Sequence, residues 1–135
     1  MNTLKLISVY CLTLVTFLVI DAVWLGLIAK DMYRRELGHL LAPNVRWGAA
    51  LVFYLIYIAG LLILVVLPHK GSPLLTVAAL GALFGFVAYA TYDLTNLATL
   101  TRWPLSVTLA DLAWGAFVTG VTAVAGRGYA RWLLP

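Results

Sequence analysis

Four long apolar runs divide this chain, at about residues 6–29, 47–67, 73–100 and 104–125. A bilayer core about 30 Å thick is crossed by a helix of about 20 apolar residues. Inside lipid every backbone polar group must find its partner within the structure, which leaves helices and closed barrels as spanning forms. Runs of this length without strict alternation read as helices. Of the 135 residues, 64% are apolar and 10% charged, against about 45–50% and 25% in a soluble domain. A water-soluble fold of this size has too much surface to hide that many apolar groups. The expected architecture is therefore all-α and integral to the membrane: a single domain over residues 1–135 forming a four-transmembrane-helix bundle.

The ends of the runs carry the usual punctuation. Pro43-Asn44 precedes the second run, Ser72 is expected to cap the third with Pro73 at its first helical position, and Pro104 opens the fourth. Residues 1–29 have the basic start of a signal peptide in Lys5, but the apolar stretch is long and lacks a small-x-small cleavage site, so it reads as a retained span. The lone Cys11 cannot form a disulfide within the chain.

Four spans put both termini on one side, here side A, with the opposite face as side B. The net charge of +4 comes from nine Lys and Arg scattered between the runs, with no basic domain to hold nucleic acid. These are membrane-flanking charges, four on side A and five on side B, and this split does not set the orientation. Tyr33, Trp47 and Trp103 near side B, with Tyr129 and Trp132 near side A, read as aromatic belts. Between the first two spans, Tyr33, Leu37, Leu40 and Leu41 share one helical face and Arg34, Arg35, Gly38 and His39 the other. That pattern predicts a short interfacial helix over Lys30–Ala42, with Arg34, Arg35 and His39 as candidate contacts for a lipid head group.

Three of the five acidic residues, Asp21, Asp93 and Asp111, fall inside the apolar runs. Each lies about seven residues from the side-B end of its run, which at ~1.5 Å per residue is ~10 Å deep. Tyr54 sits at the same level in the second run, with Tyr57 three residues on. Tyr89, Asp93 and Asn96 are spaced i, i+4, i+7 along one helical face, flanked by Tyr92. The spacing Asp-x-x-Trp occurs twice, at Asp21-Trp24 and Asp111-Trp114, where an indole N–H can hold a carboxylate. An ionisable residue within a span is costly and marks a candidate site. Three carboxylates at one depth cannot all carry charge cheaply, and no Lys or Arg lies within the runs to offset them.

The segments Asp21-Ala22-Val23-Trp24-Leu25-Gly26, Tyr33-Arg34-Arg35-Glu36-Leu37-Gly38-His39-Leu40, Ala88-Tyr89-Ala90-Thr91-Tyr92-Asp93-Leu94-Thr95-Asn96-Leu97-Ala98-Thr99 and Asp111-Leu112-Ala113-Trp114-Gly115 resemble a bacterial membrane-protein family, number 2177 among the domains of unknown function. The resemblance covers nearly the whole chain. It implies a four-span protein of the bacterial cytoplasmic membrane, and it supplies no reaction, cofactor or catalytic residue.

The donor set narrows the chemistry. No haem or zinc signature, phosphate-binding glycine loop, Gly-x-Ser-x-Gly or Cys-x-x-Cys is present. What remains is an oxygen-rich pocket with Asp21, Asp93 and Asp111 as candidate catalytic groups, lined by Trp24, Tyr54, Tyr57, Tyr89, Tyr92, Asn96 and Trp114. Three roles suit it: acid–base chemistry on a lipid-like amphiphile, handling of a proton or a hard divalent cation by the three aspartates, or packing as an accessory subunit, in a homo-oligomer or a larger membrane complex. Gly81 and Gly85 lie in i+4 steps below Tyr89 and Asp93, so they are expected to face inward and serve packing within the bundle.

Overall fold

The computed structural model describes residues 2–135. Helix α1 (Thr3–Val23) runs on through a π-helical turn (Trp24–Ile28) to α2 (Lys30–Leu37). Helix α3 (Trp47–Leu61) also ends in a π-helical turn (Leu62–Val66), and α4 (Leu74–Thr99) and α5 (Leu105–Leu133) complete the chain. No strand occurs among the described residues. Four segments are long and apolar enough to cross a membrane: Thr3–Ile28, Trp47–Val66, Leu74–Thr99 and Leu105–Leu133. The protein is a four-span helical bundle. Its outer surface is correspondingly apolar, with Leu27, Leu75 and Ile56 pointing away from the core.

Helix α5 is the centre. Val107, Thr108, Val118, Thr119, Thr122, Ala123 and Ala130 along it have no exposed surface, and it packs on α1, on α4 and on the π-helical turn of the second span. Lipid tails are as apolar as leucine, so helices associate here by close approach and polar contacts rather than by escape from water. The α4–α5 seam is built for that. A Cβ on Gly81 would stand 2.5 Å from the Ala123 Cβ, and one on Gly85 would strike the Gly115 carbonyl and the Thr119 side chain. Gly120 faces Ala78 and Ala82 across the same seam. These glycines face inward as their spacing predicts. The buried hydroxyls of Thr13 and Thr122 bond back to the carbonyls of Val9 and Val118, each at 2.7 Å.

Several local expectations give way. Ser72 does not cap α4: Pro73 holds the cap position, and the Ser72 carbonyl instead accepts from the Arg127 guanidinium at 2.8 and 3.1 Å. No side chain caps α3 either, whose cap residue is Arg46 rather than Pro43-Asn44. Helix α5 continues past Ala125 to Leu133, because Gly126 fits against Thr13 and Val66 and nothing there breaks the helix. The connecting helix stops at Leu37, so Leu40 and Leu41 stay exposed. Of the belt aromatics, Trp47 and Trp132 face outward, while Trp103 is buried and Tyr129 bonds Thr16 at 2.7 Å inside the bundle.

The seam predicts a contrast between glycines. Gly85→Ala is expected to destabilise the fold by about 1–3 kcal/mol through overpacking. Gly48→Ala, where an added Cβ meets nothing, is expected to be neutral or to stabilise by about 0.5–1 kcal/mol. Thermal unfolding of the two purified variants in one detergent checks this, and equal melting temperatures would refute the close seam.

Candidate functional site

Depth along the helices brings the acids to one level. Asp21 lies seven residues before Ile28, Asp93 six before Thr99, and Asp111 six after Leu105, so all three stand ~9–10 Å below the side-B ends. Rotation about each helix then separates them. Asp21 and Asp111 line a cavity of ≈ 440 Å³, and Asp93 does not. Asp93 is wholly buried behind Asp111 with the two carboxyls side by side, and no N–H or hydroxyl among the described residues donates to either Asp93 oxygen, so a bond between the two acids needs a proton held by one of them.

The two Asp-x-x-Trp spacings act across helices rather than within them. Helices α1 and α5 run in opposite directions, so the tryptophan one turn after each aspartate lies toward side B on α1 and away from it on α5. Trp114 Nε1 donates to Asp21 Oδ1 at 3.0 Å, and the Tyr54 hydroxyl donates to Asp21 Oδ2 at 3.4 Å. On the other side, Trp24 Nε1 donates to the Tyr33 hydroxyl at 3.0 Å, and Tyr33 donates in turn to Asp111 Oδ1 in a short contact. The two indoles stack between these pairs with centroids 4.5 Å apart and planes 7° from parallel.

Tyr33 is the site residue that the sequence reading placed elsewhere, on the belt and on the apolar face of an interfacial helix. Its helix instead folds over the side-B end, with Leu37 packed on Trp103 and Val107 and Tyr33 reaching down to Asp111. The ends of α2 explain this. It follows directly on the π-helical turn, where Ala29 N–H bonds the Trp24 carbonyl at 2.7 Å, and such turns recur at functional sites. Burial, and then the bond it donates to Asp111, raises the Tyr33 phenol above its ordinary range.

The rest of the lining is aromatic and apolar: Leu25, Phe53, Tyr54, Ala88, Tyr89 and Tyr92. Gly115, next to Trp114, makes room for the Tyr89 ring, which a Cβ there would strike. Tyr57 lies outside the cavity, buried against Thr119 and packed on Phe84 at 5.5 Å. Asn96 is outside the cavity as well. Around Tyr57 and Gly60, α3 meets Phe84 of α4. On the side-B side of that contact the cavity lies between Phe53 and Tyr54 of α3 and Ala88, Tyr89 and Tyr92 of α4. Its rim residues Leu25, Phe53 and Tyr92 are 45%, 48% and 58% exposed on the lipid-facing surface. A second, almost wholly apolar groove of ≈ 350 Å³ runs along α4 and the end of the second span, lined by Val65, Leu80, Leu83, Phe84, Val87 and Ala88, and Ala88 borders both spaces.

The candidate head-group residues stay outside the cavity. Arg34 and Arg35 are on the exposed face of α2, with Arg35 3.4 Å from Glu36. The His39 ring is 3.1 Å from the Arg102 carbonyl and ties the α2–α3 connection to the α4–α5 turn, where Arg102 has φ 64. No group of three or more His, Cys, Asp or Glu side chains is placed to hold a metal ion among the described residues. The three aspartates are thus arranged as a facing pair with a third acid behind one of them.

Tyr33 yields a test with a defined sign. A phenol raised in the folded state contributes stability that is complete below its unfolded pKa of about 10 and is lost as pH rises through the higher folded value. The phenolate absorbance of the wild type minus that of Tyr33→Phe is therefore expected to show one group titrating above pH ~10. A difference curve with its midpoint at or below ~10 would mean that Tyr33 is solvated rather than bound to Asp111.

No curated protein and no solved structure matches the chain. A family described as a predicted membrane protein, the domain of unknown function 2177, matches residues 6–127. That stretch holds both Asp-x-x-Trp pairs, Tyr33 and Asp93, and with it matched from the first span into the last, the chain belongs to this membrane-protein family.

Proposed function

We propose that the protein binds a lipid-like amphiphile through the side of its bundle, in the bacterial cytoplasmic membrane, and presents Asp21 and Asp111 to the polar end for acid–base chemistry. The observation that carries this reading is the cavity between α3 and α4: two carboxylates on its inner wall, a half-exposed rim in the lipid region, and an apolar groove meeting it at Ala88. A chain lying in the groove would leave its polar end ~10 Å below side B, at the level of the acids. A carboxyl positioned against a bound polar group can serve it as general acid or general base. Asp93 favours a related second reading, proton handling, because a buried acid without donors beside another carboxyl suits a shared proton. The accessory-subunit reading is weaker, since the small residues that would serve a partner helix are used within the α4–α5 seam.

Native mass spectrometry of the protein released from detergent tests the amphiphile reading. The wild type is expected to carry a single lipid adduct, and Ala88→Phe, which fills the junction of cavity and groove, is expected to lose it while keeping the wild-type melting temperature. An adduct of equal abundance on Ala88→Phe, or none on the wild type, would overturn the reading.

A further inference from the structure

We propose that the polar end taken by this cavity is a cation: an amine or quaternary ammonium head on an apolar chain. The inference rests on the amphiphile reading and adds the sign of the charge. The formally charged residues in the lining are Asp21 and Asp111, and no Lys, Arg or His lines it. The basic residues nearest in sequence, Arg34 and Arg35, are on the exposed face of α2. An anion entering between two carboxylates would meet like charge with no offsetting cation, at a depth where solvent screens little.

The walls point the same way. Aromatic ring faces carry the negative end of a quadrupole and attract ammonium groups, most strongly where water is excluded. Here the stacked indoles of Trp24 and Trp114 stand over the acids, and Phe53, Tyr89 and Tyr92 close the other sides. The donors nearest the acids are already committed: Trp114 and Tyr54 donate to Asp21, Tyr33 donates to Asp111 and Trp24 donates to Tyr33, which leaves the Tyr89 and Tyr92 hydroxyls as the donors of the lining. Each carboxylate keeps further lone pairs for a ligand N–H. The site therefore offers acceptors and ring faces in excess of free donors.

Charge balance couples such binding to protons. Asp21 on α1, Tyr33 on α2 and Tyr54 on α3 face the cavity together with Tyr89, Tyr92 and Asp111, and Asp93 stands behind Asp111. A carboxyl that carries a proton in the unoccupied site gives it up to water as the ammonium enters, one proton leaving for each positive charge bound. Binding then strengthens as pH rises and weakens as it falls, because protons compete for the same oxygens.

The test uses the full-length protein in lipid nanodiscs and three probes with one tail: dodecyltrimethylammonium, 1-dodecanol and dodecyl sulfate. Calorimetry is expected to show the ammonium bound at least about tenfold more tightly than the other two, with proton uptake by buffers of differing ionisation enthalpy. Asp21→Asn and Asp111→Asn are each expected to weaken the ammonium about tenfold and to leave dodecanol unchanged. Dodecanol or dodecyl sulfate binding as tightly as the ammonium would overturn the cation inference and leave the amphiphile reading standing. No binding by any probe, together with a wild type free of lipid adducts, would overturn both. The comparison among probes needs only the wild type, so a variant that fails to fold does not blunt it.

Discussion

The crossed pairing of α1 and α5 is the constraint on which the side-B half of the molecule depends. A carboxylate in a span costs several kcal/mol unless it is held by donors or shares its charge. Here each acid of the facing pair is held by a ring from elsewhere: Asp21 by Trp114, and Asp111 by Tyr33, itself held by Trp24. In antiparallel helices, the tryptophans three residues after the two aspartates are displaced ~4.5 Å along the axis in opposite senses, so their side chains lean toward each other to meet. The indoles then stack, and the stack fixes the rotation of both helices. Tyr33 has to come inward to complete the second pair, which is why the connecting helix closes over the bundle instead of lying flat beside it.

A second asymmetry makes the cavity. Helix α4 lies tightly on α5 because both present glycine, alanine and threonine to the seam. Helix α3 presents Phe53, Tyr54 and Tyr57 instead, and rings of that size hold backbones apart. Its contact with α4 is at Gly60 and Tyr57, against Phe84. The cavity lies on the side-B side of that contact. A uniform bundle of small residues would have closed over the acids. A uniform bundle of large ones would have lacked the rigid α4–α5 wall that carries Tyr89, Asp93 and Asp111.

What could be read in advance was position along the membrane normal, and what could not was rotation about each axis. Rise per residue is nearly constant, so Asp21, Asp93, Asp111 and Tyr54 fall at one level as soon as the span ends are marked. Rotation is set by the partner helix. Successive i+4 positions drift by about 40° around a helix in one sense, so Gly81, Gly85, Tyr89 and Asp93 do not share one face, and spacing alone does not say which of them meets the cavity. Tyr89 ends in the cavity and Asp93 behind Asp111. Tyr33 was harder still, because its position in a short polar segment reads as surface, and only the π-helical turn before it aims it at Asp111. Ser72 shows the same limit at a loop: a side-chain cap was legible, but the long-range claim of Arg127 on its carbonyl was not.

Asp93 gives the strongest argument that this layer is more than architecture. A structural acid in a membrane bundle is expected to cap a helix or bond a neighbour, as Asp21 bonds Trp114. No N–H or hydroxyl among the described residues donates to the Asp93 oxygens, and only another acid, Asp111, stands beside them. A buried polar group left without a partner costs stability, and an apolar residue of similar size would be neutral or better at such a place. Packing therefore gives no reason for a carboxyl there. Its one polar neighbour of consequence is Asp111, on the wall of the cavity. On the cation reading proposed above, a carboxyl behind Asp111 lends it a proton when the cavity is unoccupied and adds negative potential when a positive charge arrives.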